Sequence, residues 1–200
     1  MIKMKVAALF LVITGICVAD TIWSWDMTEL PSGWTADEYW NFNTTGAHSY
    51  VSASTSGPYS VSQTSQMFSD TLTVPDSLDM IIVCITDDWS WSGWWTTGES
   101  NCSIWFSLES LSGTCYLIEF DSHSWGFDYS VFGSRTVQVE VPISGGEEFY
   151  LDINSNASSS YGAFAEMTWN IESLFITDGS GTSLEHSTWA EIKRCMTNGD

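Results

Sequence analysis

The chain has 200 residues, of which 25 are Asp or Glu and only 5 are Lys or Arg, so its formal net charge at pH 7 is −20. Such a surface repels phosphate groups and anionic lipid, which excludes nucleic acid and the membrane surface as partners. It favours neutral or cationic ligands, and it also serves simply to keep a secreted protein soluble.

The first 19 residues have the pattern of a secretory signal peptide. Lys3 and Lys5 precede an apolar run over residues 6–18, and Ala19 is a small residue before a plausible cleavage site. The run of about 13 residues is roughly 20 Å long as a helix, too short for a hydrocarbon core of about 30 Å. We therefore expect a secreted, extracellular or cell-surface chain from Asp20, without membrane insertion. It keeps 3 basic and 25 acidic residues, a net charge of −22.

Residues 20–180 have the length of one domain, and their apolar pattern is that of strands. Tryptophans separated by Pro and Gly over residues 20–46 predict two or three short strands. The Ser- and Thr-rich segment 47–70 has little apolar area to bury and predicts edge strands and loops. The apolar run from Met80 to Ile85 predicts a strand that is covered on both faces.

The segment Asp87–Glu99 (DDWSWSGWWTTGE) holds four tryptophans within seven residues. Because they are mixed with Ser, Gly and Thr between two strand-like runs, the segment is predicted to be a loop that covers one end of the domain. In the next strand, apolar Cys102 to Leu108 alternate with polar residues, and Trp105 falls on the solvent side.

The remaining segments continue the strand pattern. A hairpin about Leu111–Ser112 pairs 101–109 with 114–121, in which Ile118 and Phe120 share the apolar side. Strands follow at 137–141, 149–153 and 163–177, the last with a β-bulge near Glu172–Ser173. About ten strands predict an all-β fold, an antiparallel β-sandwich of jelly-roll type. In the tail, residues 181–200, a capping box predicts a short helix over residues 189–196.

Four cysteines remain after the signal peptide, Cys84, Cys102, Cys115 and Cys195, an even number that predicts two disulfides in an exported chain. The hairpin separates Cys102 from Cys115 by roughly 20 Å, whereas a disulfide requires Cα atoms within about 7 Å, so this pairing is disfavoured. Both other connectivities stay open.

Three strand segments, TLTVPDSLDMIIV, EEFYLDI and GAFAEMTWNIESLFIT, resemble those of secreted jelly-roll modules such as carbohydrate-binding modules and bacterial adhesin-type domains. The resemblance covers most of residues 20–178. It implies a sandwich of eight or more strands, often stabilised by calcium, that binds glycans by aromatic stacking.

Sugars present apolar C–H faces ringed by hydroxyl groups, so their sites combine flat aromatic rings with carboxylates and amides. The predicted ligand-binding residues are Trp89, Trp91, Trp94, Trp95, Trp105, Asp87 and Asp88. Calcium prefers several oxygen ligands. For a structural calcium ion, the only cofactor we expect, the candidate ligands are Asp88, Asp121 and Asp178.

The sequence thus predicts a non-catalytic binding module for a glycan or cell-surface ligand. One alternative is a structural surface subunit whose exposed tryptophans pack against a protein partner. Another is a jelly-roll glycoside hydrolase using Glu119 and Asp121, two residues apart on one strand face. The laminarinase-type pattern has a third carboxylate after such a pair, but Ser122, His123 and Ser124 follow here, so we expect no enzymatic activity.

Overall fold

The computed structural model describes residues 20–94, 98–125 and 129–179. The predicted signal peptide (1–19), the predicted helix (189–196) and Trp95 lie outside these residues. The described strands are β1 (Thr21–Trp25), β2 (Thr35–Ala36), β3 (Trp40–Asn43), β4 (Gly46–Ser54), β5 (Ser60–Phe68), β6 (Leu72–Thr73), β7 (Ile81–Trp94), β8 (Ser100–Ser110), β9 (Cys115–Trp125), β10 (Tyr129–Val141), β11 (Glu148–Ser160) and β12 (Phe164–Asp178).

The strands form two antiparallel six-stranded sheets, which confirms the all-β prediction. Sheet A has the order β10-β7-β12-β4-β3, with β1 also paired to β12. Sheet B has the order β2-β5-β11-β8-β9, with β6 also paired to β11. The inner faces of the two sheets enclose one hydrophobic core. The edge strands β10 of sheet A and β9 of sheet B meet along one side of the molecule, where Arg135 on β10 contacts Glu119 and Asp121 of β9.

Strand β4 is an interior strand, so the prediction of edge strands over residues 47–70 is wrong for this element. It pairs with β12 on one side and with β3 on the other. Its inward residues are small because two large rings lie over them. Ser49 pairs with Trp40 and with Trp169, and these two indoles are 6.1 Å apart. The indole rings of Trp40 on β3 and Trp169 on β12 therefore fill the core volume that the small side chains of β4 do not occupy.

Two predictions for sheet A are confirmed. Every residue from Ile81 to Ile85 is buried, as expected for a strand covered on both faces. In β12 the register shifts between Ile171 and Ser173, so Glu172 is the extra residue of a β-bulge. The bulge turns Leu174 and Ile176 to the core side that Ile171 faces, and all three are fully buried.

Strand β9 contains a second bulge, which the sequence did not predict. The β8–β9 hairpin is confirmed, but its register shifts where Phe106 pairs with Glu119 and Ser107 pairs with Leu117, leaving Ile118 as the extra residue. The prediction that Ile118 and Phe120 lie on the same apolar side of the strand is therefore wrong. Beyond the bulge, Glu119 faces the interior and Phe120 faces solvent.

The predicted loop Asp87–Glu99 is wrong for residues 87–94, which continue strand β7. This part of β7 pairs with β10 on one side and with β12 on the other. The sequence WSWS alternates with period two, so Trp89 and Trp91 point between the sheets while Ser90 and Ser92 point outward. A doubly paired strand then satisfies its backbone hydrogen bonds better than a loop would.

Cys84, Cys102 and Cys115 are free thiols, so the predicted disulfides are wrong for these three residues. The strands separate them physically: Cys84 is on the outer side of sheet A, Cys102 is in the core, and Cys115 is on the outer side of sheet B. Burial raises the pKa of Cys84 to about 11 and that of Cys102 to about 12, which keeps both protonated. Cys195 lies outside the described residues.

Among the described residues, no helix has the length and apolar character needed to cross a membrane.

Candidate functional site

The structure distributes the predicted ligand-binding residues over three different surfaces. Asp87, Trp89 and Trp91 face inward from β7, and Trp91 is fully buried. Asp88 and Trp94 face outward on the same strand, while Trp105 faces outward from sheet B. The predicted set is therefore not one site, and each surface has to be judged from its own contacts.

The outer side of sheet B presents an aromatic surface centred on Trp105, which is 37% exposed. Phe120 pairs with Trp105 across β8 and β9, and the two rings meet edge-to-face at 5.7 Å. Phe120 is 52% exposed, and Leu117 on the same strand is also exposed. Aromatic residues of this size are normally buried, so an exposed pair on a flat sheet is a candidate for ligand contact.

The Trp105 indole is held in place by hydrogen bonds along its own strand. Its Nε1 donates to Ser107 Oγ at 2.9 Å, and Ser107 Oγ donates to Glu109 Oε1 at 2.8 Å. The ring is therefore oriented before any ligand arrives, which reduces the entropy that binding would cost.

A polar column lies beside these rings on β11 and β5. Asn154 pairs directly with Trp105 on one side and with Gln66 on the other. Asn154 Nδ2 donates to Asp152 Oδ1 at 2.6 Å, so the carboxamide has a fixed orientation. Its Oδ1 is buried and makes no hydrogen bond within the described part of the chain. We name these residues together the Trp105 face: Trp105, Phe120, Leu117, Asn154, Asp152 and Gln66.

The sequence singled out only Trp105 from this face. Phe120 was missed because the unpredicted bulge at Ile118 reverses its direction. Asn154 and Asp152 carry a signal that could have found them. They alternate with buried Leu151 and Ile153 in β11, which places both on one outer side.

The outer side of sheet A carries a second aromatic surface. Trp94 is 46% exposed and stacks on Phe164 of β12, with ring centroids 6.2 Å apart. Along β12 the next outward residue is Glu166, which accepts hydrogen bonds from Ser92 and from Tyr50. We name this surface the Trp94 groove, formed by Trp94, Phe164, Glu166, Tyr50, Phe132 and Asp88.

Between the sheets, one arginine contacts three acidic side chains, and we name these four residues the Arg135 cluster. Arg135 of β10 lies 3.5 Å from Asp87 of β7 and 3.5 Å from Asp121 of β9, and it also pairs with Glu119 of β9. Asp87 accepts a further hydrogen bond of 2.6 Å from Trp169 Nε1. The cluster closes the side of the sandwich at which the two edge strands meet.

Burial determines the protonation of this cluster. It raises the pKa of Glu119 to about 8, and the nearby Asp87 carboxylate adds to the rise while Arg135 opposes it. Burial also raises the pKa of Asp87, against the hydrogen bond from Trp169 and the charge of Arg135. Glu119 therefore holds a proton at neutral pH and can donate a hydrogen bond to Asp87.

The candidate calcium ligands do not come together. Asp88 accepts a 2.7 Å hydrogen bond from Asn170 on the outer side of sheet A, and Asp121 belongs to the Arg135 cluster. Asp178 ends β12 and accepts from the backbone of Asp20. No group of three or more His, Cys, Asp or Glu residues in the described ranges is arranged to hold a metal ion. Calcium binding stays a prediction.

Comparisons with known proteins found similarity to solved structures at low identity. Neither family models nor curated proteins match the chain. Solved structures similar to it include the CBM22-1 xylan-binding domain of Xyn10C from Paenibacillus barcinonensis, with 12% identity and a TM-score of 0.33 over 80% of this chain and 95% of that one. Another is the K3 adhesin domain of Lys-gingipain from Porphyromonas gingivalis, with 10% identity and a TM-score of 0.38 over 80% of this chain and 100% of that one.

A third similar structure is the C-terminal family 22 carbohydrate-binding module of Xyn10B from Clostridium thermocellum, with 11% identity and a TM-score of 0.35 over 82% of this chain and 97% of that one. These structures are of the two classes that the sequence resembles, carbohydrate-binding modules and an adhesin domain. At such identities and scores the similarity carries no weight for function, so the function has to be derived from the residues of this chain.

Proposed function

We propose that this protein is a secreted, non-catalytic carbohydrate-binding module that holds a polysaccharide chain on the Trp105 face. The observation that supports this most directly is the exposed Trp105 indole, fixed by Ser107 and paired across the sheet with Asn154. It combines a flat apolar ring with an oriented amide, the two groups that a sugar ring requires from its site.

Binding on this face would use both kinds of group. The C–H side of one sugar stacks on Trp105 and Phe120, at about 0.5–1.5 kcal/mol per ring beyond the area that is buried. Its hydroxyl groups reach Asp152, Gln66 and the Nδ2 group of Asn154, which lie one and two strands away at about 4.8 Å per strand. These residues lie on the outer side of a sheet and do not close the face at either end. The face therefore suits an internal segment of a polysaccharide, which continues beyond the site in both directions.

The test is retention on an insoluble neutral polysaccharide such as xylan. We expect Trp105→Ala to lose most of its retention, with affinity falling about tenfold because the central platform is removed. Phe120→Ala should give a smaller loss in the same direction.

Tyr59→Ala is the matched control, because Tyr59 is 74% exposed and lies away from this face, directly before β5. Near-ultraviolet circular dichroism confirms that each variant is folded. If Trp105→Ala were retained as well as Tyr59→Ala on a panel of neutral polysaccharides, the assignment of the face would be wrong.

The hydrolase alternative has no support in the Arg135 cluster. Glu119 is only 5% exposed and Arg135 pairs with both Glu119 and Asp121, so a glycosidic bond has no access to the acid. The alternative of a structural surface subunit stays a prediction.

A further inference from the structure

The Trp94 groove lies on the opposite side of the molecule from the Trp105 face, and the proposed function does not use it. Its walls are Phe132, which is 83% exposed, and Tyr50, which is 49% exposed. They occupy one row across four strands, because Phe132 pairs with Ser90, Ser90 with Thr168, and Thr168 with Tyr50. Three strand spacings place the walls about 14 Å apart. The two residues between them in this row, Ser90 and Thr168, both carry hydroxyl groups.

Two carboxylates line this groove without a cationic partner. Glu166 accepts hydrogen bonds from Ser92 Oγ at 2.7 Å and from Tyr50 Oη at 3.2 Å. Asp88 accepts from Asn170 Nδ2 at 2.7 Å. These donors are neutral, so they orient the carboxylates but leave their negative charge uncompensated.

No lysine or arginine of the described ranges reaches this groove. Arg135 is the only Lys or Arg in the described ranges, and its guanidinium group contacts Asp87, Glu119 and Asp121 between the sheets. The His48 ring hydrogen-bonds to Thr45 and Asn43 at the end of the groove. Glu166 and Asp88 are therefore available to bind a cationic group of a ligand.

We propose that the Trp94 groove is a second binding site, specific for an amine-bearing glycan such as a glucosamine polymer. The aromatic walls match the C–H faces of the sugar, the hydroxyl groups between the walls match those of the sugar, and Glu166 and Asp88 match its ammonium groups. The site differs from the Trp105 face in position and in ligand charge, so it does not depend on the proposed function.

Glu166 is the specificity-determining residue of this site. It is partly buried and held by two hydrogen bonds, so an ammonium group that reaches it forms a charge-assisted hydrogen bond with a carboxylate of fixed orientation. An acetylated amine has no positive charge and loses this bond. The groove therefore distinguishes a glucosamine chain from its N-acetylated counterpart, although the two share the same sugar backbone.

The experiment titrates the mature protein with a glucosamine oligomer and with the same oligomer N-acetylated, at about pH 6, where surface carboxylates are ionised. We expect the glucosamine oligomer to bind about tenfold more tightly, since hydrogen bonds to charged groups are worth about twice neutral ones. Glu166→Gln should abolish this preference, and Phe132→Ala should weaken binding of both oligomers.

Glu140→Gln is the matched control for charge, because Glu140 is an exposed carboxylate on the same sheet, paired with Ile82 far from the groove. It should keep the preference. Equal binding of the two oligomers, or equal losses in Glu166→Gln and Glu140→Gln, would overturn the proposal in favour of general electrostatic attraction.

Trp105→Ala separates this proposal from the proposed function. If Trp105→Ala removes glucosamine binding while Glu166→Gln does not, all glycan binding occurs on the Trp105 face and the second site is wrong. If neutral polysaccharides fail to bind but the preference for glucosamine depends on Glu166, the proposed function fails and the second site stands.

Discussion

At the scale of single residues, the most unusual group is Glu119, a buried carboxylic acid at the meeting point of two sheets. A carboxylate in this position is costly because it loses its hydration, and one arginine cannot neutralise three acidic groups. The proton that Glu119 keeps at neutral pH removes one of these charges. The proton therefore contributes to the stability of the fold as long as it stays bound.

This protonation predicts a pH dependence of stability. The pKa of Glu119 is raised from 4.5 to about 8 in the folded state, so between these values the folded protein holds a proton that the unfolded chain releases. The contribution of Glu119 is complete below about pH 4.5 and is lost as pH rises through about 8. Glu119→Gln keeps a hydrogen-bond donor for Asp87 and cannot ionise.

We expect Glu119→Gln to be as stable as wild type near pH 5 and more stable by about 1–3 kcal/mol near pH 9. Urea denaturation at a series of pH values measures the difference. Glu140→Gln, at an exposed carboxylate, should show no comparable trend. A difference between Glu119→Gln and wild type that stayed constant with pH would contradict the burial argument.

At the scale of elements, period-two alternation predicted most of the strands, and it failed where the backbone breaks the period. In β12 both sides of the bulge were visible as two apolar runs out of phase, so the bulge was predicted and confirmed. In β9 the bulged residue Ile118 is itself apolar and 5% exposed, which hides the break in the pattern. The extra residue at Ile118 therefore reverses the directions expected for the next two side chains, so that Glu119 points inward and Phe120 points outward.

The loop prediction for the tryptophan segment Asp87–Glu99 failed for a different reason. Its Ser, Gly and Thr content is typical of loops, and this outweighed the WSWS alternation, which indicated a strand. The positions of Trp94 and Trp105 on opposite outer sides depend on strand pairing between residues distant in sequence. Local sequence patterns could therefore indicate which aromatic residues were candidates for ligand binding. They could not predict which of these residues lie on the same side of the sandwich.

The pairing of β7 with β10 rests on a close fit between Trp89 and Gly133. These residues are directly opposite, and a Cβ added to Gly133 would lie 2.6 Å from Trp89 Cζ2. The Trp89 ring cannot easily retreat, because its centroid is 4.7 Å from that of Trp91, which is fully buried. Position 133 therefore requires glycine, because the Trp89 ring occupies the space that a Cβ atom would need.

We expect Gly133→Ala to destabilise the fold by about 1–3 kcal/mol through overpacking. The midpoint of urea denaturation measures this loss, and an unchanged slope shows that the same surface unfolds. Ser134→Ala, at the adjacent outward position, should stay within about 0.5 kcal/mol of wild type. A Gly133→Ala variant as stable as Ser134→Ala would show that the indole has another rotamer available.

At the scale of the whole molecule, the outer sides of two packed sheets point in opposite directions, so the Trp105 face and the Trp94 groove can be occupied at the same time. A protein with two such sites can connect two polysaccharide chains. The excess of acidic residues acts on both sites together. It repels anionic glycans from every direction and attracts the cationic chain that the Trp94 groove is proposed to bind.

The same excess charge predicts how stability responds to salt. The chain after residue 19 carries 3 basic and 25 acidic residues, so most of its surface charges repel one another. Folding brings them together, and salt screens this repulsion over a Debye length of about 10 Å at 0.1 M. The Arg135 cluster is largely buried and is screened less, so repulsion between surface carboxylates dominates the response.

We expect the melting temperature to rise by about 2–4 °C per kcal/mol of repulsion that NaCl removes. Sodium chloride is preferred to sulfate, because sulfate also strengthens apolar burial. A melting temperature that fell with NaCl would mean that attractive ion pairs outweigh the repulsion, which would require the surface carboxylates to have cationic partners beyond those of the Arg135 cluster.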